Sequence, residues 1–196
     1  MTFDASPATG ALATGTTAIT PTDIVSFWRD AGPDAWFKKN PDFDAEIRRR
    51  FLAIHETAAE GLLSEWETGA EGALALLLLL DQFPRNMFRD QPRMFASDPL
   101  ARAIAAGAIA RGFDKLTPKE MRAFFYLPFE HSEDRQDQAR SVELIAAMDD
   151  ADLLKWAKLH ADIVTRFGRF PHRNAILGRA TTAEEQDFLD DGGFHG

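Results

Sequence analysis

The chain of 196 residues contains no cysteine. Disulfides, thiolate metal sites, iron–sulfur clusters and cysteine nucleophiles are therefore excluded. Long apolar runs are missing too. The longest, Ala73 to Leu80, is far shorter than the roughly 20 residues a membrane-spanning helix needs. Positive charge is in deficit: 22 Lys and Arg face 31 Asp and Glu, a net −9 that disfavours nucleic-acid partners. No stretch alternates apolar and polar residues with β-branched side chains over a strand length, so no sheet is expected. Glu-x-x-His, His-Glu-x-x-His, Gly-x-Ser-x-Gly, Walker and Gly-x-Gly-x-x-Gly patterns are all absent. No metal or cofactor is expected on that basis. What is left is a globular composition, with 45% hydrophobic and 27% charged residues. It implies a soluble, cytoplasmic protein with no membrane partner, long enough to bury one core.

Helix signals recur along the chain. Thr20-Pro21-Thr22-Asp23 forms a capping box with proline at the first helical position. Phe43, Ile47, Phe51, Ile54 and Ala58 fall on one face of a long helix that ends near Gly61. Ala73 to Phe83 is apolar all round and rich in Leu and Ala, which favours a buried helix stopped by Pro84. Ser97-Asp98-Pro99 opens another helix, Thr117 to Glu120 reads as a second capping box, and Ser132 to Met148 and Asp152 to Phe167 read as two more. Thr181-Thr182 caps a last helix through Leu189. The expectation is an all-α fold of about eight helices, stacked as antiparallel hairpins or an irregular bundle. One ordered domain is expected over residues 20–191, between a disordered leader (1–19) and a flexible tail (192–196).

The chemistry-bearing residues gather in three stretches. The chain uses 16 Arg and only 6 Lys. Arg suits planar, bidentate contact with carboxylates and phosphates. Between Ile163 and Ala183 no Asp or Glu occurs, yet Arg166, Arg169, Arg173 and Arg179 all do, together with His172. This marks either a pocket for an anion or a set of arginines bonding Asp81, Glu130, Glu133 and helix-end carbonyls. His160 lies mid-stripe on the apolar face formed by Leu153, Trp156, Ile163 and Phe167. It is either a core histidine with both nitrogens satisfied or a cleft histidine acting as acid or base. Glu130 and His131, presented where Pro128 breaks a helix, combine the carboxylate and imidazole that a general base or a metal site needs; Ser132, Glu133 and Asp134 read more simply as the cap and first turn of the next helix. His55 reads as structural. Gln82-Phe83-Pro84-Arg85-Asn86 is echoed by Arg169-Phe170-Pro171-His172-Arg173-Asn174, an order that a structural repeat or shared helix-end chemistry would produce.

Three stretches together resemble a known family: Leu79-Leu80-Asp81-Gln82-Phe83-Pro84-Arg85-Asn86, Tyr126 to Glu133, and Arg166 to Arg179. This is the bacterial domain-of-unknown-function family numbered 924, and the similarity runs from about Ile24 to Leu189. The resemblance implies an all-helical, tetratricopeptide-like stack of helix pairs and a set of motif positions. It implies no reaction. Two functional readings stay open. One is a binding module with an Arg/His-lined pocket or groove for a small anionic ligand or peptide, lined by Asp81, Gln82, Arg85, Asn86, Glu133, Arg166, Arg169, Arg173 and Asn174. The other is a small-molecule enzyme, a hydrolase or lyase, in which His131, His160, His172 or Glu130 moves protons on an anionic substrate.

Overall fold

A computed structural model describes residues 18–195. Most of the leader expected over residues 1–19 therefore lies outside the described residues. Ile19, inside them, packs against the core. Among the described residues every regular element is helical. Helix α1 (Pro21–Ala31) begins in the capping box expected of Thr20 and Asp23 and buries Ile24, Val25 and Trp28. Helix α2 (Pro41–Ala59) is capped by Asn40 and buries Ile47, Phe51, His55 and Ala58 along one stripe. Helix α1 lies against α3 (Ala70–Leu77), which is buried on nearly every face, and α2 packs on the segment Leu78–Met87 that continues it. The unbroken Ala/Leu run of α3 from Ala73 onward makes it the axis of the core.

Pro84 does not stop this helix. The chain runs from α3 through one π turn (Leu78–Gln82) into α4 (Phe83–Met87). The wide turn resolves the conflict that proline creates. Pro84 has no N–H to donate and would collide with the carbonyl four residues back. Instead the Phe83 N–H reaches the carbonyl of Leu78. The carbonyls left over are satisfied by side chains. Leu79 O accepts from His55 Nδ1 at 2.8 Å, Leu80 O from the Ser97 hydroxyl at 2.6 Å, and Asp81 O from Arg85. This confirms a structural role for His55. It also explains why Ser97 makes no cap for α5 (Asp98–Ala110): its hydroxyl is committed to Leu80.

Two further local expectations are corrected. Thr117 forms no capping box, because its hydroxyl donates back to Phe113 O. Ser132 does not cap the next helix either. Short helix α6 (Leu127–Glu130) turns into α7 (Arg135–Ala146), whose cap is Asp134, accepting from the N–H groups of Gln136 and Asp137. Ser132 accepts from the Asp134 N–H and donates to Asp137. Helix α8 (Ala151–Phe167) follows α7 after a four-residue turn and packs along it. A short loop then leads to α9 (Asn174–Leu177) and α10 (Ala183–Asp190), the latter opened by the capping box of Thr182 and Glu185. The carboxy-terminal elements bury a smaller cluster of their own, Ile163, Val164 and Phe170, joined by Phe188 and Phe194.

Candidate functional site

The π turn turns Asp81 into the interior, where it is 1% exposed. A buried carboxylate must be paired, and three side chains pair it. His131 Nδ1 lies 2.8 and 3.0 Å from its two oxygens. Gln82 Nε2 donates to Oδ2 at 2.6 Å, and Arg85 Nη1 stands 3.3 Å from Oδ1. Burial alone would raise the Asp81 pKa, but the Arg85 charge, followed by His131 and Gln82, holds it down at about 2. Asp81 is therefore a fixed anion. It anchors the His131 ring with the proton on Nδ1, which leaves Nε2 bare as an acceptor. Burial, then the Arg85 charge, lowers the His131 pKa against the pull of Asp81, so the imidazole is neutral at pH 7.

His131 is held where it is by the turn beneath it. Gln138 donates to the carbonyls of Glu130 and Ser132, both at 2.6 Å, and so pins the junction of α6 and α7. Glu130, at the end of α6, is buried and faces α8. Burial, reinforced by the negative charge of Asp81, pushes its pKa up to about 8. At neutral pH it is an acid that still holds its proton. Its Oε1 lies 3.2 Å from His160 Nδ1. That nitrogen donates to the Trp156 carbonyl, one helical turn back, at 2.9 Å. Burial lowers the His160 pKa to about 4, so the contact with Glu130 is between two neutral groups. Nε2 of His160 has no hydrogen-bond partner among the described residues. The His131 and His160 rings meet edge to face, with centroids 6.5 Å apart.

Two arginines complete the cluster. Arg85 binds Asp98 through Nη1 and Nη2, each at 3.0 Å. Arg173 approaches the same carboxylate only to 3.8 Å. It is 7% exposed, and its Nε has no hydrogen-bond partner. Its guanidinium lies between the rings of Phe95, at 4.5 Å, and Phe170, at 4.6 Å. Burial and the nearby Arg85 charge lower its pKa to about 10, which still leaves it cationic at pH 7. His172 sits next to it, buried enough that its pKa falls to about 3, with Nδ1 unpartnered. Two surface clefts, of about 510 Å³ and about 280 Å³, lie near Arg50 and Arg93, and neither is lined by a residue of this cluster. The cluster itself is covered, with Phe194 over His160 at 4.6 Å.

The sequence candidates thus divide. Asp81, Gln82, Arg85, Glu130, His131, His160, His172 and Arg173 come together. Asn86 points elsewhere, donating to Asp44, which also receives both arms of Arg89. Arg166 pairs with Glu184 on the surface. Arg169 binds Glu185 through Nε and Nη2, and Asn174 donates to the same carboxylate. Glu133 receives Arg179 at 2.7 and 2.9 Å and the Phe170 N–H at 2.8 Å. These last contacts fold the loop that delivers Arg173. Most of the positive charge concentrated between Ile163 and Ala183 is therefore spent on carboxylates from outside that stretch. Sequence reasoning missed Asp98, Phe95 and Phe194. Asp98 looked like an ordinary helix start, and only its burial marks it. Among the described residues no group of three or more metal-ligating side chains is assembled, and no helix is long and apolar enough to cross a membrane.

The family model described as bacterial protein of unknown function (DUF924) matches residues 24–193. The chain belongs to this family. It is similar to a solved protein of unknown function from Agrobacterium tumefaciens, with 51% sequence identity and a TM-score of 0.86 over 88% of this chain and 97% of that one. No curated protein matches it.

Proposed function

We propose that the protein binds a small anionic ligand at the cluster formed by Arg173, His131 and His160. Arg173 carries this reading. A guanidinium buried this deeply is normally matched by a close carboxylate. Here the nearest carboxylate oxygen is 3.8 Å away and already receives Arg85 at 3.0 Å, and the Arg173 Nε is unpartnered. A ligand carboxylate or phosphate would supply the missing acceptors. The covered setting suits a small molecule better than an extended peptide. Calorimetric titration with acetate and with inorganic phosphate tests this. Arg173→Met should weaken binding of either anion by about tenfold or more, while Arg173→Lys retains part of it. Equal affinities in wild type and Arg173→Met would refute the reading.

A second reading, acid–base catalysis on that ligand, is favoured by one arrangement. Asp81 orients His131 and leaves Nε2 free, as an imidazole base requires, while Glu130 nearby keeps its proton at neutral pH. A base and an acid with separated pKa values then share one site.

A further inference from the structure

We propose that Phe194 fills an aromatic subsite of this cluster, and that the ligand is an anion joined to a flat aromatic group that takes the place of the Phe194 ring. The inference rests on the anion reading above and adds the shape of the molecule attached to the charge.

The placement of Phe194 is built into the backbone. Gly192 adopts φ +80°, a left-handed conformation that side-chain-bearing residues avoid. The Gly193 N–H donates to Phe188 O at 2.9 Å, and a Cβ at Gly193 would stand only 2.4 Å from that oxygen. These two glycines fold the chain back over the end of α10 and lay the ring on the histidines. Its centroid is 4.6 Å from His160 and 5.1 Å from His172, both in edge-to-face geometry. Phe170 faces the same two imidazoles at 5.5 and 5.6 Å and also carries the Arg173 guanidinium. Neutral imidazoles and phenyl rings thus form flat walls beside one buried cation. Trp156, 47% exposed, continues the aromatic surface outward from Phe194, with ring centroids 6.3 Å apart. His160 and Phe170 are fixed on α8 and in the Glu133–Arg179 clamp. Phe194, on two glycines and only half-buried, is the one wall that a turn of backbone can withdraw.

An aryl carboxylate combines the two features: its ring fits where the phenyl of Phe194 lies and its charge meets Arg173. Full-length wild type, Phe194→Ala and Phe194→Leu would be titrated with benzoate, acetate and benzyl alcohol. Removing the competing ring should tighten benzoate by about tenfold in Phe194→Ala and leave acetate unchanged. Phe194→Leu keeps the apolar packing and should show the same order of affinities with a smaller gain. Diethyl pyrocarbonate should label His160 and His172 faster in Phe194→Ala, and benzoate should restore protection. Benzoate binding no tighter than acetate in both variants would overturn the inference and leave the anion reading intact. Benzyl alcohol binding as tightly as benzoate would overturn the anion reading and the ligand class together. Unchanged labelling would show that Phe194 does not cover the histidines.

Discussion

Arg85 and Arg173 approach the same Asp98 carboxylate from the two echoed Phe-Pro stretches, at 3.0 Å and 3.8 Å respectively. On the reading proposed above, the inequality separates a structural cation from one left for a ligand. Arg85→Met leaves Asp81 and Asp98 buried without their principal partner and should cost about 3–5 kcal/mol. Arg173→Met keeps an apolar stem between Phe95 and Phe170 and should change stability by no more than about 1 kcal/mol. Urea unfolding of the two variants checks the contrast, and equal losses would contradict it.

One of the π turn's three side-chain donors is a hydroxyl. Ser97→Ala removes the donor to Leu80 O and leaves a buried carbonyl unsatisfied. A loss of about 1–3 kcal/mol is expected, although Ser97 caps no helix. Chemical denaturation measures this directly. A neutral substitution would mean that the carbonyl finds water.

Glu130 shapes the stability profile on the alkaline side. Its folded-state pKa of about 8 lies above the ordinary 4.5, so folding favours the protonated form. That contribution is complete below pH 4.5 and is lost as the pH rises toward 8. Glu130→Gln mimics the protonated acid at every pH. It should gain more than about 1 kcal/mol over wild type at pH 8 and little at pH 5. Denaturant midpoints at the two pH values provide the test, and parallel profiles would refute it.

Two buried histidines contribute on the acid side, alongside the paired carboxylates. Burial lowers the His160 pKa to about 4 and that of His172 to about 3, both below the ordinary 6.5. Their neutral forms contribute stability above pH 6.5, and this is lost as the pH falls through about 4. Titration followed by nitrogen-15 NMR should find both rings neutral at pH 6. For His131 the same spectra should show Nδ1 protonated and Nε2 bare at pH 7. An imidazolium there would exclude it as a base.

The helical fold was legible because it is written locally. The capping boxes at Thr20 and Thr182 and the stripe from Phe43 to Ala58 all appear where the sequence places them. Local rules failed where a side chain had a distant obligation. Ser97 looked like a cap but serves Leu80, and Pro84 looked like a stop but is absorbed by a π turn. The site was legible in part, since Asp81, Arg85, His131, His160 and Arg173 stood out by residue type and setting. The partners that decide their roles did not. Asp98 is 13 residues from Arg85 with no pattern linking them, and Phe194 lies in a glycine-rich tail whose sequence predicts flexibility. Such long-range pairings have no periodicity to betray them.

The π turn also constrains how this family can vary. It amounts to a helix carrying one residue more than its hydrogen-bond register accommodates. Deleting that residue would restore ordinary winding and rotate everything on one side of it by roughly 100° relative to the other. Asp81 would then swing away from His131, while Arg85, four residues on, would follow a different arc. An insertion or deletion here shifts the register of every residue on one side of it, which a point substitution does not. Between Leu78 and Arg85, spacing should therefore be inherited more strictly than identity.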